Sequence, residues 1–257
     1  MISNSITNGI NGCPNIPGDK SISHRSIIIP SISNGVSEIN NILKSEDVLH
    51  TLNAFKSMGV KVEENSNKLI IYGKGLNSLK KPKDKIYLGN SGTSARLLTG
   101  LLSSQKFDTI LTGDKSLSNR PMRRISDPLC KMNARINSSN GKLPLKIEGK
   151  ELTCTKIDLD IPSAQIKSGL LLAGLNTKGE TTITENKITR DHTEIMLESF
   201  GAKIDVRKIS NNKFIKIIGK KELVSKNIDV PNDLSSSAFF IVCALINKNS
   251  HIILKNI

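Results

Sequence analysis

The chain reads SISHR at residues 21–25, GTSAR at 92–96 and SAQIK at 163–167, three similar segments that lie 71 residues apart. Each segment begins with small or hydroxyl-bearing residues, has a cation four residues later, and continues into an apolar stretch. Self-similarity at a fixed period indicates one supersecondary unit used repeatedly. The spacing therefore predicts three copies of a unit whose first helix begins at each of these segments.

A second marker recurs in step with the first. MGVKV at residues 58–62, MNARI at 132–136 and FGAKI at 200–204 are each typical of a helix that ends and turns into a strand. A fourth unit begins on schedule with SSSA at residues 235–238, and the sequence stops inside it at Ile257. We therefore expect this chain to be a fragment or a truncated product. In that case the apolar run of residues 238–242 lacks the later units on which it would pack, and we expect it to be exposed.

Apolar periodicity and turn residues place the elements of each unit in the order helix, strand, helix, strand, strand. This alternation predicts a layered α/β (α+β) fold built from pseudo-symmetric repeats. We expect the 94–102 and 166–175 helices to be buried, because they are apolar nearly all round. The predicted helices are Ser21–Ile32, Val48–Met58, Thr93–Ser103, Met122–Met132, Ala164–Leu175, His192–Phe200 and Ser236–Ile246. The predicted strands include Val36–Ile42, a hairpin of Val60–Glu64 and Lys68–Tyr72 across residues 65–67, Phe107–Thr112, Thr181–Thr184 and His251–Leu254. We also predict a polar loop at residues 113–120 and hinges at residues 16–19 and 229–233.

The composition narrows the class of partner. The 37 basic and 23 acidic residues give a net charge of +14, which attracts anions. Proteins that bind nucleic acid usually concentrate their charge in a stripe with stacking aromatic residues, whereas here the lysines are dispersed and aromatic residues make up 3%. The composition favours small anionic ligands over nucleic acid.

Neither a metal site nor a membrane segment is indicated. The four cysteines have no metal-ligand spacing, which predicts buried or incidental thiols in a reducing cytosol. No basic region followed by an apolar run opens the chain, and no apolar stretch approaches ~18 residues, so we expect neither a leader peptide nor a membrane span. His24, His50 and His251 have no metal-ligand spacing, and we interpret them as structural.

Several predicted helix starts combine free backbone N–H groups with a cation, which is the arrangement that binds anions. In the first unit, Lys20 and Ser21 lie in the first turn and Arg25 lies one turn later. In the second unit, Gly92 leaves room for a ligand to approach the backbone, since it has no side chain. Asn90, Thr93 and Arg96 surround it in the sequence. The alternative in each case is an ordinary helix cap with a solvated cation.

Further candidates follow the same logic. Arg120 precedes the proline that starts a helix, where its guanidinium can bind a carboxylate or phosphate in a fork. Ser163 and Gln165 open the most apolar helix and need polar partners. Arg190 precedes another helix start. Because pseudo-symmetric repeats direct equivalent ends to one place, these residues predict a cleft for a substrate with more than one anionic group.

At these residues the chain resembles the 5-enolpyruvylshikimate-3-phosphate synthase family, the 3-phosphoshikimate 1-carboxyvinyltransferases. The resemblance covers nearly the whole chain in order. It is carried by IPGDKSISHR (16–25), SEDVLHTLNAFKSMGV (45–60), LGNSGTSARLL (88–98), TGDKSLSNRPMRRISDPL (112–129), IPSAQIKSGLLLAGLNTKG (161–179), TRDHTEIMLESFGA (189–202) and DVPNDLSSSAFFIVCAL (229–245).

The resemblance implies two domains, each of three βαβαββ units, with the site in the cleft between them. Residues 1–17 would supply the first strand of the second domain, residues 18–230 a complete substrate-binding domain, and residues 231–257 the start of the second domain. The family transfers the enolpyruvyl group of phosphoenolpyruvate to the 5-hydroxyl of shikimate 3-phosphate and releases phosphate, in chorismate and aromatic amino-acid biosynthesis. It needs no metal or cofactor, and a cytoplasmic monomer is implied.

The family's pattern also implies residue roles. Shikimate 3-phosphate would contact Lys20, Ser21, Arg25, Ser163, Ala164, Gln165 and Arg190, and phosphoenolpyruvate would contact Lys20, Gly92, Arg120 and Gln165, supported by Asn90, Thr93 and Arg96. Ala164 stands where many members have serine, and Leu97 replaces a proline of another branch. The family's acid and base groups belong to the C-terminal domain, so we expect them to lie beyond Ile257. The competing interpretation is a non-catalytic protein that binds anions or nucleic acid.

Overall fold

The computed structural model describes residues 9–65 and 68–257, and it has eight helices and fourteen strands in this part of the chain. The helices are Lys20–Ser31 (α1), Glu46–Ser57 (α2), Gly92–Ser103 (α3), Lys115–Ser118 (α4), Arg123–Lys131 (α5), Ala164–Leu175 (α6), His192–Ser199 (α7) and Leu234–Ile246 (α8). The strands are Asn11–Gly12 (β1), Asn34–Asn40 (β2), Lys61–Glu64 (β3), Lys68–Lys74 (β4), Ile86–Tyr87 (β5), Thr109–Thr112 (β6), Arg135–Ser139 (β7), Lys142–Glu148 (β8), Lys156–Leu159 (β9), Glu180–Glu185 (β10), Lys203–Ile209 (β11), Asn212–Ile218 (β12), Ile228–Asp229 (β13) and His251–Ile252 (β14).

The predicted elements are confirmed, with ends that differ by no more than two residues. One prediction was wrong: residues 113–120 are not a continuous loop, because α4 forms where the Asp114 carboxylate accepts a hydrogen bond from the Leu117 amide at 2.7 Å. The predicted turn at residues 65–67 includes residues 66–67, which lie outside the described part of the chain. The expectation about a leader peptide concerns residues 1–8, which lie outside it too.

The second and third units each form a four-stranded sheet with the same topology. Their orders are β5-β6-β8-β7 and β9-β10-β12-β11, with the first pair of strands parallel and the other pairs antiparallel. A short leading strand, β5 or β9, precedes the first helix of each unit; our element-by-element prediction omitted it, whereas the βαβαββ pattern of the resemblance contained it. The repeat inferred from the 71-residue spacing is therefore confirmed.

The leading strand of the first unit comes from residues that follow the third unit in the sequence. Strand β13 at residues 228–229 pairs in parallel with β2, with Ile228 opposite Ile39 and Asp229 opposite Asn40. The resulting order, β13-β2-β4-β3, matches that of the other two sheets. Residues before α1 do not fill this position: β1 pairs instead with β14. We predicted a hinge at residues 229–233, but Asp229 belongs to this strand.

Helices α1, α3 and α6 form the interior of the fold, as we expected for α3 and α6. The side chains of Leu97, Leu98, Leu170 and Leu171 are fully buried. Helices α3 and α6 approach each other so closely that a Cβ on Gly100 would lie 1.9 Å from the carbonyl oxygen of Gly169. This contact requires glycine, because no side-chain atom fits between the two backbones.

Helix α8 has a different environment. Within it only Ser237 is buried, and Phe239, Leu245 and Ile246 are each more than 70% exposed. We had expected the apolar run of residues 238–242 to be exposed in this chain. In the described residues it contacts β14, and the Asp233 carboxylate caps its start by accepting a hydrogen bond from the Ser235 amide at 2.9 Å.

The four cysteines are free thiols; Cys13, Cys130 and Cys243 are exposed and Cys154 is half-buried. They correspond to the incidental rather than the buried thiols of the sequence-based expectation. No cluster of three potential metal ligands occurs in residues 9–65 and 68–257. Over the same ranges, no helix combines the length and the apolar character that a membrane crossing requires.

The contact between α3 and α6 gives a prediction. Gly100→Ala should destabilise the protein by about 2 kcal/mol or more, because the methyl group forces the two helices apart, although alanine favours a helix by about 1 kcal/mol. Urea unfolding followed by circular dichroism measures the change. Asn53→Ala on the exposed face of α2 is the control, with a somewhat smaller gain in helix propensity and no new contact. A Gly100→Ala protein as stable as the wild type would contradict the packing argument.

Candidate functional site

The helices α1, α3 and α6 each begin with a side chain that caps the helix. Asp19, Ser91 and Ser163 accept hydrogen bonds from the amides of Ile22, Ser94 and Ile166, at 2.7, 3.2 and 3.4 Å respectively. Capping satisfies one N–H group of each first turn and leaves others free. Each helix start therefore presents partial positive charge.

One cavity of about 410 Å³ lies where the starts of these helices meet the segment before α7. Seven of the residues that the sequence singled out line it. They are Ser21, Arg25, Thr93, Ser163, Ala164, Gln165 and Arg190. Ile188, Thr189 and His192 complete the lining. Residues from all three repeats therefore contribute to one cavity, as the convergence of equivalent helix starts predicted.

Lys20 is outside this lining. Its ammonium group forms an ion pair with the Asp47 carboxylate at the start of α2, and about half of its side chain is exposed. An exposed ion pair of this kind contributes little to stability.

Arg25 is the most deeply buried cation that lines the cavity, with 4% of the residue exposed. Its Nε donates to Thr193 Oγ1 at 2.6 Å, Nη2 donates to Ser168 Oγ at 2.7 Å, and Nη1 donates to the Ser21 carbonyl at 2.8 Å. Burial lowers its pKa to about 10, while Glu194 and Asp19 act in the opposite direction. Three neutral acceptors thus hold a cation that has little access to water.

Arg96 joins the second and third units. Its Nη1 donates to the Gln165 side-chain oxygen at 2.9 Å and to the Gly92 carbonyl at 3.0 Å. The Gln165 amide nitrogen donates to Thr93 Oγ1 at 3.0 Å. These bonds fix the orientation of the Gln165 amide, so that its position in the cavity is set by α3 as well as by its own helix.

Gly92 lies between two guanidinium groups. A Cβ at this position would lie 2.8 Å from Arg96 Nη1 and 3.0 Å from Arg120 Nη1. Arg120 also donates to the Asn90 side-chain oxygen at 2.5 Å. Burial lowers the pKa of Arg96, and the nearby cations Arg120 and Arg124 lower it further. A bound anion would relieve this repulsion.

Two buried polar clusters support the site from behind, and our sequence analysis did not predict either. In the first, the ammonium of Lys167 contacts Glu185 at 2.9 Å and Glu194 at 2.7 Å, and Lys213 contacts Glu194 at 3.2 Å. One signal was available: Lys167 occupies the position of Arg25 and Arg96 in the 71-residue spacing.

The second cluster links helices α1, α2 and α3. His24 Nδ1 lies 2.8 Å from Thr51 Oγ1, which lies 2.5 Å from Ser94 Oγ; Ser94 in turn is 2.6 Å from the Oγ of the cap residue Ser91. His24 is fully buried, in agreement with the structural role that we expected. Burial lowers its pKa to about 3, although Asp47 has the opposite effect. The imidazole is therefore neutral at physiological pH.

Residues 5–257 match the family model described as EPSP synthase (3-phosphoshikimate 1-carboxyvinyltransferase). The chain belongs to the EPSP synthase family. The resemblance inferred from the helix-start motifs is confirmed.

Curated members of the EPSP synthase family are similar over nearly the whole of this chain. A 3-phosphoshikimate 1-carboxyvinyltransferase of Ruthia magnifica is 55% identical over 98% of the chain, and one of Streptococcus agalactiae is 49% identical over 97%. A solved structure of EPSP synthase from Acinetobacter baumannii is 46% identical and superposes with a TM-score of 0.89 over 98% of the chain. The chain spans 57–58% of the length of these three proteins.

The buried imidazole predicts a dependence of stability on pH. His24 has a lower pKa in the folded protein than the unperturbed value of about 6.5. As the pH falls below 6.5, the unfolded chain therefore takes up a proton that the folded protein does not, and stability decreases. Between pH 7 and pH 5 the wild type should lose about 2 kcal/mol more than His24→Asn, whose amide does not titrate. Urea unfolding at each pH measures this difference, and parallel curves for the two proteins would show the prediction to be wrong.

Proposed function

We propose that residues 18–230 bind shikimate 3-phosphate and phosphoenolpyruvate as the substrate-binding domain of a 3-phosphoshikimate 1-carboxyvinyltransferase. The reaction transfers the enolpyruvyl group to the 5-hydroxyl of shikimate 3-phosphate and releases phosphate. The observation that carries the proposal is the cavity of about 410 Å³, in which cations and hydroxyls from all three repeats meet. The high identity to curated members of the EPSP synthase family supports it.

The same proposal divides the chain into domains. Residues 1–17 and 231–257 are assigned to a second domain, because β1 pairs with β14 in a separate two-stranded sheet. The connection between the parts is a crossing of two chain segments, where the Asp19 amide donates to the Pro231 carbonyl at 2.7 Å and the Asp233 amide donates to the Pro17 carbonyl at 2.8 Å.

Shikimate 3-phosphate is assigned to the cavity. A phosphate group requires several donors and positive charge, and a ring with hydroxyl groups requires side chains that both donate and accept. Arg25 and Arg190 supply the charge, and free amides at the start of α6 supply further donors. The proposed contacts are Lys20, Ser21, Arg25, Ser163, Ala164, Gln165 and Arg190. Ala164 has no hydroxyl, so it contributes its backbone and its methyl group.

Phosphoenolpyruvate is assigned to the start of α3, beside the cavity. Gly92 leaves open space near two guanidinium groups, and the Arg120 fork matches a carboxylate or a phosphate. Lys20, Gly92, Arg120 and Gln165 are the proposed contacts. Asn90 holds Arg120, while Thr93 and Arg96 hold Gln165.

The charge at these positions also suits the chemistry. Both substrates are polyanions, and addition of the hydroxyl to the enol carbon creates an intermediate whose charge needs fixed positive groups. Within the described residues we assign binding groups and no catalytic acid or base. The proposal includes no metal and no cofactor, and it places the protein in the cytoplasm as a monomer that does not bind nucleic acid.

Arg190 provides the direct test, because it is exposed and its removal leaves the core intact. The wild-type chain should bind shikimate 3-phosphate in calorimetry, and Arg190→Ala should weaken that binding at least about tenfold, the effect of one lost charge-assisted hydrogen bond. Lys187→Ala is the matched control: it removes one exposed cation from the same loop, outside the cavity lining. Absence of heat from the folded wild type at millimolar ligand would contradict the proposal. Equal losses of affinity in Arg190→Ala and Lys187→Ala would show that the ligand is held only by non-specific attraction between charges.

Gly92 tests the second subsite separately. The methyl of Gly92→Ala displaces the guanidinium groups of Arg96 and Arg120, so phosphoenolpyruvate binding should fall at least about tenfold. Binding of shikimate 3-phosphate should change much less. Phosphorus NMR titration in the presence of saturating shikimate 3-phosphate measures the affinity for phosphoenolpyruvate. Arg190→Ala should show the opposite pattern, with weaker binding of shikimate 3-phosphate and a much smaller change for phosphoenolpyruvate. If Gly92→Ala binds phosphoenolpyruvate as the wild type does, the assignment of this ligand to the start of α3 is incorrect.

A further inference from the structure

Four charged side chains are buried behind the cavity without lining it. Lys167 on α6 and Glu185 at the end of β10 have fully buried side chains, and Glu194 on α7 and Lys213 on β12 are 3–4% exposed. The group contains two cations and two anions. Glu194 Oε2 is buried and has no hydrogen-bond partner in the described residues.

Burial of four charges is an inefficient way to stabilise a core. The loss of hydration commonly exceeds the attraction between the charges, and well-packed apolar residues of similar volume give equal or greater stability. An unpartnered carboxylate oxygen adds to the cost. Stability alone therefore does not account for this cluster, and its contacts with neighbouring residues indicate what else it does.

The contact between Lys167 and Glu194 forms one of two parallel links between α6 and α7. The residues next to them in the chain, Ser168 and Thr193, form the other link, with their hydroxyl oxygens 2.6 Å apart. Arg25 donates one hydrogen bond to each of these two hydroxyls. The ion pair thus fixes the distance between the two groups that orient the guanidinium.

A second connection reaches the other arginine of the cavity. Glu185 contacts Lys167 through Oε2 and accepts a hydrogen bond from the Thr189 hydroxyl through Oε1. Thr189 directly precedes Arg190, and both line the cavity. The Lys167 ammonium is thereby linked to Arg25 through Glu194 and to the Arg190 segment through Glu185.

We propose that Lys167, Glu185 and Glu194 are positioning residues that hold Arg25 and Arg190 in the geometry required by a phosphate dianion in the cavity. This inference rests on the proposed function for the identity of the ligand, shikimate 3-phosphate. Arg25 has five N–H donors, and the three acceptors found in the described residues leave one donor on each terminal nitrogen for that ligand. Burial lowers the pKa of Arg25, whereas Glu194 raises it, so Glu194 favours the charged form of the guanidinium.

The double variant Lys167→Met/Glu185→Gln tests this inference. It removes one cation and one anion, keeps the pair of Glu194 and Lys213, and leaves Thr189 an oxygen acceptor. The control, Lys68→Met/Glu38→Gln, makes the same changes in an exposed ion pair between β4 and β2. Two readouts are used: calorimetry with shikimate 3-phosphate, and the nitrogen NMR signal of the Arg25 Nε–H group, assigned with Arg25→Lys.

The positioning role predicts a loss of binding without a loss of stability. The double variant should unfold at or above the wild-type temperature, bind shikimate 3-phosphate at least about tenfold more weakly, and exchange the Arg25 Nε proton with water at least about tenfold faster. The control should match the wild type in all three. If the double variant does not fold, Lys167→Arg replaces it, because this variant keeps the charge of the cluster, changes the contacts with Glu185 and Glu194, and leaves the acceptors of Arg25 in place.

The two readouts separate failure of this inference from failure of the proposed function. An unchanged Nε signal and unchanged affinity in a folded variant would overturn the positioning role. If the wild-type chain does not bind shikimate 3-phosphate, the ligand assignment is overturned. If the Arg25 Nε proton nevertheless exchanges faster in the double variant than in the wild type, the control of Arg25 by Lys167 is supported.

Discussion

The structure depends on a guanidinium group that is withdrawn from water without a carboxylate in contact with it. Among the described residues, Arg25 finds two hydroxyls and one backbone carbonyl, and no carboxylate lies within ion-pair distance. Burial of such a charge is costly, and the cost is offset only if the neighbouring helices present acceptors at the right distance. The packing of α6 and α7 against α1 meets that requirement, and it leaves an excess of positive charge at the cavity. An anionic ligand is the natural partner of that excess.

The three repeats use one position in three ways. The cation about one turn into the first helix of each unit is Arg25 in the first unit, Arg96 in the second and Lys167 in the third. Arg25 lines the cavity, Arg96 orients Gln165, and Lys167 is fully buried among carboxylates. Because the helices meet at their N-terminal ends, all three cations lie close to the same region. The symmetry of the fold thus creates a positive centre, and the differences between the repeats decide which cations face the ligand.

Much of the fold could be predicted, because its signals are local. The helices α3 and α6 were predicted with their ends and their burial, since an apolar stretch after a capping serine has few alternative structures. The short strands β5, β9 and β13 lie outside such patterns, and β13 is only two residues long. Its pairing with β2 joins Ile228 to Ile39, which are far apart in the sequence. Pairing over that distance is set by the packing of the whole domain, so no local pattern indicates it.

For the site, the sequence by itself determined which residues have the chemistry to bind anions and, through the 71-residue spacing, that their helix starts converge. Ser21, Arg25, Ser163, Gln165 and Arg190 were identified in this way, and all five line one cavity. Only the tertiary structure decided that Lys20 pairs with Asp47, and that Lys167 points inward to Glu185 and Glu194. A cation at the start of a helix has the same local sequence whether it faces a ligand or a buried carboxylate. The choice depends on which groups the other chain segments bring to it, and that is a property of the fold.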